Sequence, residues 1–249
     1  MISTSDELLA GGPTDVRIGI GRGTDRGLVE ASVEGSGADV RIYDDPWELV
    51  SDMVEGRIDA AVRGDMPSDV LVPILRKELG LERLERAALM EPSGGRMFLL
   101  APVGIDEGWT EDQRFDIARR SADLASRVGM DARIAVMSGG RSEDIGRCPE
   151  VDATILGAES VTERLIKAGY DAYNCQILVE NAAKEAGVIV APDGICGNLI
   201  FRTMHFIGGA RSLGAPLLNT DKVFVDTSRA KTDYRDSIAL AGRLTEEAI

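Results

Sequence analysis

The chain reads as an α/β protein with largely parallel sheets. Three observations predict this. Short apolar or β-branched runs recur along the 249 residues, and some, such as 188–191, are apolar throughout, the pattern of a strand buried on both faces. Helix patterns alternate with these runs, which argues for right-handed crossover connections. Polar, glycine-containing loops join strands to the helices that follow, and open α/β sheets bind ligands at that carboxyl edge.

Taken in order, residues 1–14 are polar and glycine-rich and are expected to form a loose arm. Residues 16–20 give the first strand, which enters Gly21-Arg22-Gly23 and a helix pattern over 25–33. Residues 40–43 give a second strand ending at Asp44 and Asp45. Glycines after the first strand and acids after the second suit a nucleotide or S-adenosylmethionine loop. Thr24 stands where the dinucleotide fingerprint has its last glycine, and a plain turn is the competing reading. Asp45 caps the next helix, with Pro46 at its first position and Glu48 closing a capping box. Residues 58–62 form a third strand opening into Arg63-Gly64-Asp65, and 68–79 a helix that begins at Ser68.

A new strand covers 96–101, and Thr110 with Gln113 boxes a helix running to Val128. The strand at 133–137 opens into Ser138-Gly139-Gly140-Arg141-Ser142. Backbone donors, hydroxyls and one guanidinium make this the best anion cradle by composition. An ordinary turn with a surface arginine is the alternative. Residues 153–156 read as a short strand, Ser160 and Glu163 as the cap of a helix ending near Gly169, and 171–177 as weakly patterned. Strand 188–191 is broken by Pro192-Asp193-Gly194, and Cys196-Gly197-Asn198 leads into an apolar helix over 199–207. Glycines there admit a ligand close to the backbone, and free N–H groups at a helix start favour an anion. A last strand at 222–226 and a helix over 232–247 close the chain.

Composition narrows the function classes. With 42 acidic and 28 basic residues, a net charge of -14 makes nucleic acid a poor partner. No apolar run approaches a membrane span and no signal peptide is visible, so a cytoplasmic protein is expected. Three widely spaced cysteines, Cys148, Cys175 and Cys196, indicate neither a disulfide framework nor a zinc ribbon, and no metal is expected. A thiol at a helix start, Cys196, would be reactive, whereas a small buried cysteine is the plainer reading. His205, Trp47 and Trp109 read as packing residues.

Pro192-Asp193 followed by Gly197-Asn198 is similar to the P-D-x-x-x-G-N signature of phosphate acetyl/butyryltransferases. Gly23, Asp25 and Arg26 match that superfamily's opening segment, residues 54–90 resemble it almost throughout, and the Ser138 loop follows its strand-plus-Ser/Gly pattern. Within the superfamily the chain most resembles the MtxX family, methanogen marker protein 4, described as candidate methyltransferase subunits. The resemblance implies two α/β/α domains with a cleft between them, as in phosphotransacetylases and, more distantly, isocitrate and isopropylmalate dehydrogenases. It places one domain at 1–95 plus 222–249 and the other at 96–221.

Asp226-Thr227-Ser228-Arg229 resembles the N-D-L-S-R motif, whose Ser-Arg pair lies in the active site; a downstream aspartate there is the base toward the coenzyme A thiol. At that position this chain has Arg235, followed by Asp236. Ser228, Arg229 and Asp236 are therefore the expected catalytic residues, a guanidinium neutralising developing charge and a carboxylate taking a proton. The expected ligand-binding residues are Arg63, Gly64, Asp65, Ser68, Ser138, Gly139, Gly140, Arg141, Asp193, Gly197 and Asn198. The resemblance implies a transferase for an anionic or coenzyme-like ligand: coenzyme A, a phosphorylated compound or a methyl-carrying coenzyme. It further implies a homodimer, and corrinoid methyltransferase subunits as partners. Acyl transfer between acyl phosphate and coenzyme A is one alternative, a non-enzymatic partner subunit another.

Overall fold

A computed structural model describes residues 1–10, 15–24 and 26–246, with the Arg26 side chain excluded. From the amino end come α1 (Ser5–Leu9), β1 (Ile18–Gly21), α2 (Arg26–Glu34), β2 (Val40–Tyr43), α3 (Pro46–Val54), β3 (Ala60–Val62) and α4 (Ser68–Glu78). Next are β4 (Ala88–Glu91), β5 (Phe98–Ala101), α5 (Glu111–Arg127), β6 (Ile134–Met137), α6 (Pro149–Lys167), β7 (Ala172–Gln176), α7 (Val179–Glu185), β8 (Val188–Val190) and α8 (Gly194–Arg202). A π-helical turn (Thr203–Ile207), β9 (Arg211–Pro216), β10 (Val223–Asp226) and α9 (Arg235–Glu246) complete the order.

Contacts divide the chain into two compact units. The outer unit holds Asp6–Leu84 and Leu213–Ile249, and the middle unit Met1–Ser5 and Glu85–Ser212. In the outer unit β2, β1, β3 and β10 pair in parallel in that order, and the end of β9 adds an antiparallel strand to β10. In the middle unit β5, β8, β6 and β7 pair in parallel in that order, with β4 antiparallel to β5. Both are mostly parallel α/β sheets, as the alternation of patterns predicts. β5, β6 and β8 are buried at every position, as strands covered on both faces must be.

The outer core gathers Tyr43, Leu49, Val50, Met53, Leu71, Leu75 and Phe224. Helix α3 starts where the sequence asks: Asp45 accepts a hydrogen bond from Trp47 N at 2.8 Å, with Pro46 in the first turn. Tyr43 buries its ring there and donates its hydroxyl to Asp52 Oδ2 at 2.6 Å. Burial, then Asp52, pushes the Tyr43 phenol up to about 12. Unfolded tyrosine ionises near pH 10, so above that pH the unfolded chain holds fewer protons and stability falls until the native phenol ionises. Tyr43→Phe should remove this fall, about 2–3 kcal/mol between pH 10 and 12. Urea midpoints across that range would read it; an unchanged pH slope in the variant would refute it.

Several expectations fail for physical reasons. The amino-terminal arm is not loose over its described residues: Leu8 of α1 is fully buried, and Ile2 N donates to Gly129 O at 2.8 Å. Positions 11–14, Asp25 and 247–249 lie outside the described residues. The strand expected at 153–156 is the middle of α6, which Pro149 starts earlier, so Ser160 is no cap; its hydroxyl donates to Glu111 Oε2 at 2.6 Å. Residues 172–176, weakly patterned because their burial does not alternate, form β7. Trp47 and Trp109 are each 53% exposed and are not core residues.

Candidate functional site

In the outer unit the carboxyl ends of β1, β3 and β10 carry the loops of interest, because those strands run parallel and in register. Gly64 has φ +62°, and a Cβ there would collide with the Gly21 carbonyl oxygen. A Cβ on Gly21 would stand 2.5 Å from Arg63 O, and Gly23 donates its N–H to Asp65 Oδ1 at 2.6 Å. These glycines let the β1 and β3 loops cross. Asp44, which could have faced a ribose, instead takes two 2.7 Å bonds from Arg22. The nucleotide reading of this loop therefore has no support from the geometry.

Arg63 is buried, with Nε 2.8 Å from Asp226 Oδ1, an ion pair whose N–H does not align as a hydrogen bond. Thr227 Oγ1 donates to Gly64 O at 2.7 Å. Thus Arg63-Gly64-Asp65 and the Asp226–Arg229 segment are brought together. The Ser228 hydroxyl accepts from Ala230 N at 3.2 Å, and Arg229 is exposed. Ser68 is the first residue of α4. Asp236 stands in the first turn of α9. Arg235 donates from Nε to Asp233 Oδ2 at 2.7 Å, which holds the Asp233 carboxyl below its usual range.

In the middle unit the ends of β5, β8 and β6 supply three loops. Asp193, not Asn198, is the N-cap of α8: its Oδ1 accepts from Cys196 N at 2.8 Å. The helix begins earlier than the apolar run suggests, because the small Gly194 and Gly197 let it lie on the β5 loop. A Cβ on Gly194 would collide with Gly104 O, and one on Gly197 with Pro102 O. Asn198 Nδ2 donates to Val103 O at 2.9 Å, tying the same loop.

Beneath this contact Glu107 is fully buried and accepts from Arg86 Nε at 2.6 Å and Gly104 N at 3.3 Å. Burial pushes its carboxyl above the usual range, against the pull of Arg86. Burial, then Asp193, pushes the Cys196 thiol up to about 11, so the reactive-thiol reading fails. Ser138 is buried and donates to Gly140 O at 2.8 Å, while Gly139 N donates to Thr154 Oγ1 at 2.8 Å. Arg141 is exposed, its N–H donating to Asp144 Oδ2 at 2.9 Å. Much of the polar inventory here is thus already spent on closing the loop.

Arg114 was not anticipated. From the first turn of α5 it donates Nη1 to Pro192 O at 2.8 Å, just past β8. Its signal in the sequence is a basic residue in a helix turn that otherwise favours acids. A cavity of about 420 Å³ lined by Val16, Met53, Ile58 and Val223 lies at the amino ends of β1, β3 and β10, the edge opposite these loops.

Comparison with known proteins decides the family. The chain is 42% identical over 212 residues to a Methanosarcina mazei protein named "Putative methyltransferase mtx subunit X", covering 85% of this chain and 76% of that one. A Methanosarcina barkeri protein of the same name is 40% identical over 220 residues, 87% of this chain and 81% of the relative. The chain belongs to the MtxX family. No protein-family model matches it. Among solved structures, a branched-chain phosphotransacylase from Enterococcus faecalis matches with a TM-score of 0.73 and 16% identity, over 92% of this chain and 99% of that one. That likeness establishes a phosphotransacetylase-like fold for the MtxX chain. Among its described residues no helix is long and apolar enough to cross a membrane, and no three His, Cys, Asp or Glu side chains group as a metal site.

Proposed function

We propose that the protein is a methyltransferase-related transferase of the methanogen cytoplasm that binds an anionic or coenzyme-like ligand at the carboxyl ends of its parallel strands. The observation that carries this reading is the pairing of Arg63 with Asp226, which sets a buried guanidinium against the strand end from which Ser228 and Arg229 follow. In the middle unit the glycine-rich Ser138–Arg141 loop and the start of α8 stand at the carboxyl ends of β6 and β8. Methyl transfer comes from the relatives' name, which also speaks of a subunit and so of a partner; a corrinoid subunit would fit that role. A second copy would suit the exposed face of α8 and the π turn, where Leu199 and Ile207 are 60% and 83% exposed.

Acyl transfer is the second reading, favoured by the fold. Against it, Arg235, bound to Asp233, stands where the resemblance expects a thiol-deprotonating carboxylate. Melting shifts with coenzyme A, phosphorylated compounds, S-adenosylmethionine and methyl-tetrahydromethanopterin separate the readings. A ligand present at about 100 times its Kd should stabilise by about 2.7 kcal/mol. A shift with a methyl-carrying coenzyme, and no acetyl-coenzyme A formed from acetyl phosphate, is expected. Acetyl-coenzyme A formation would replace the first reading with the second, and silence across the panel would leave a non-enzymatic subunit.

A further inference from the structure

We infer that Arg114 is an anion-gripping residue at the carboxyl edge of the middle unit's sheet, its ligand a phosphoryl or carboxylate oxyanion. The inference rests on the anion-binding reading above and names a group that does the binding. This side chain stands where it is disfavoured in several independent ways.

Arg114 is the fourth residue of α5, where the helix dipole favours acids over cations. It is partly buried, and burial holds its guanidinium below the ordinary value, with Glu111 and then Asp193 pulling the other way. Neither acid reaches it: among the described residues no carboxylate stands within the 4.0 Å of an ion pair. Glu111 accepts from Ser160, and Asp193 accepts from Cys196 N and from the Cys196 thiol at 3.4 Å. The Nε is buried without a partner.

The helix beside it also gives way. Gly157 lies inside α6, where glycine is a poor choice, and a Cβ there would stand 2.5 Å from Arg114 Nη2. A side chain kept in place against dipole, burial and missing counter-charge is expected at a binding site rather than in a scaffold. The Pro192 carbonyl fixes one arm of the fork at the end of β8, the edge where open sheets take ligands. With Nε buried, the donors left for a ligand are on Nη1 and Nη2, whose shared edge suits two oxygens of one oxyanion.

The test compares wild type, Arg114→Gln and Arg114→Lys by thermal melting in pyrophosphate, in acetate and in chloride of matched ionic strength. Wild type should gain Tm with pyrophosphate or with acetate, which tells phosphoryl from carboxylate. In Arg114→Gln the apparent affinity for that anion should fall by about ten-fold or more. Arg114→Lys keeps the charge without the fork and should bind more weakly than wild type. If Arg114→Gln does not fold, the lysine variant carries the test, and wild-type affinity in it overturns the inference. A lower Tm in chloride with an undiminished anion shift makes Arg114 a strut and overturns the inference alone. No shift in wild type with either anion overturns the inference together with the anion-binding reading.

Discussion

Gly194→Val should destabilise the protein by at least about 3 kcal/mol, the upper end of what overpacking usually costs. The reason is local and steric. The first residue of α8 lies against the β5 loop so closely that any Cβ would collide with Gly104 O and come within 3.0 Å of Glu107 O. Backbone cannot rotate away as a side chain can. The helix would have to lift, giving up Gly194 N to Glu107 O at 2.9 Å and Asn198 Nδ2 to Val103 O at 2.9 Å. Gly56→Ala is the control: its φ of +73° makes any side chain strained, but nothing stands within 4 Å of the added Cβ. It should cost only about 1–2 kcal/mol. Urea unfolding of both variants checks the contrast, and equal costs would contradict it.

Glu107→Leu should cost about 3–5 kcal/mol, because it breaks a buried ion pair by removing one partner. Arg86 has a side chain only 10% exposed, and its Nε stands 2.6 Å from the fully buried Glu107, whereas Asp106, at 3.4 Å, is half-exposed. The Gly104 N–H would lose its carboxylate acceptor as well. Replacing both partners, Arg86→Met with Glu107→Leu, should recover much of the loss, since two apolar groups demand no pairing. A double variant no more stable than Glu107→Leu alone would show that packing, not charge, makes the position sensitive.

Both predictions concern residues that the sequence pattern places only roughly. The apolar run that made 188–191 a strand is a property of neighbouring residues, and it survives folding because a central parallel strand is buried on both faces. Residues 153–156 contain β-branched side chains and pass for a strand alone; only Pro149 upstream and packing along α6 make them helical. Asp193 caps α8 because the start of that helix is fixed by Gly104 and Glu107, roughly ninety residues away in the chain, which no local pattern records. Trp47 and Trp109 show that size and apolarity do not by themselves bury a residue. Arg63, Ser138 and Asp193 were legible as loop residues at strand ends. Arg114 was not, since its lack of an ion pair is a fact of three dimensions.

The central claim is that the loops at the carboxyl ends of the parallel strands hold an anionic ligand. Hydrogen exchange read by mass spectrometry, with and without the ligand that gives the largest melting shift, addresses all of them in one experiment. Slower exchange is predicted in peptides spanning 63–68, 138–142, 193–198 and 227–230, with 53–59, at the amino ends of the outer unit's strands, unchanged. Protection absent from all four loops, or centred on 53–59 beside the cavity at the amino ends, would contradict it.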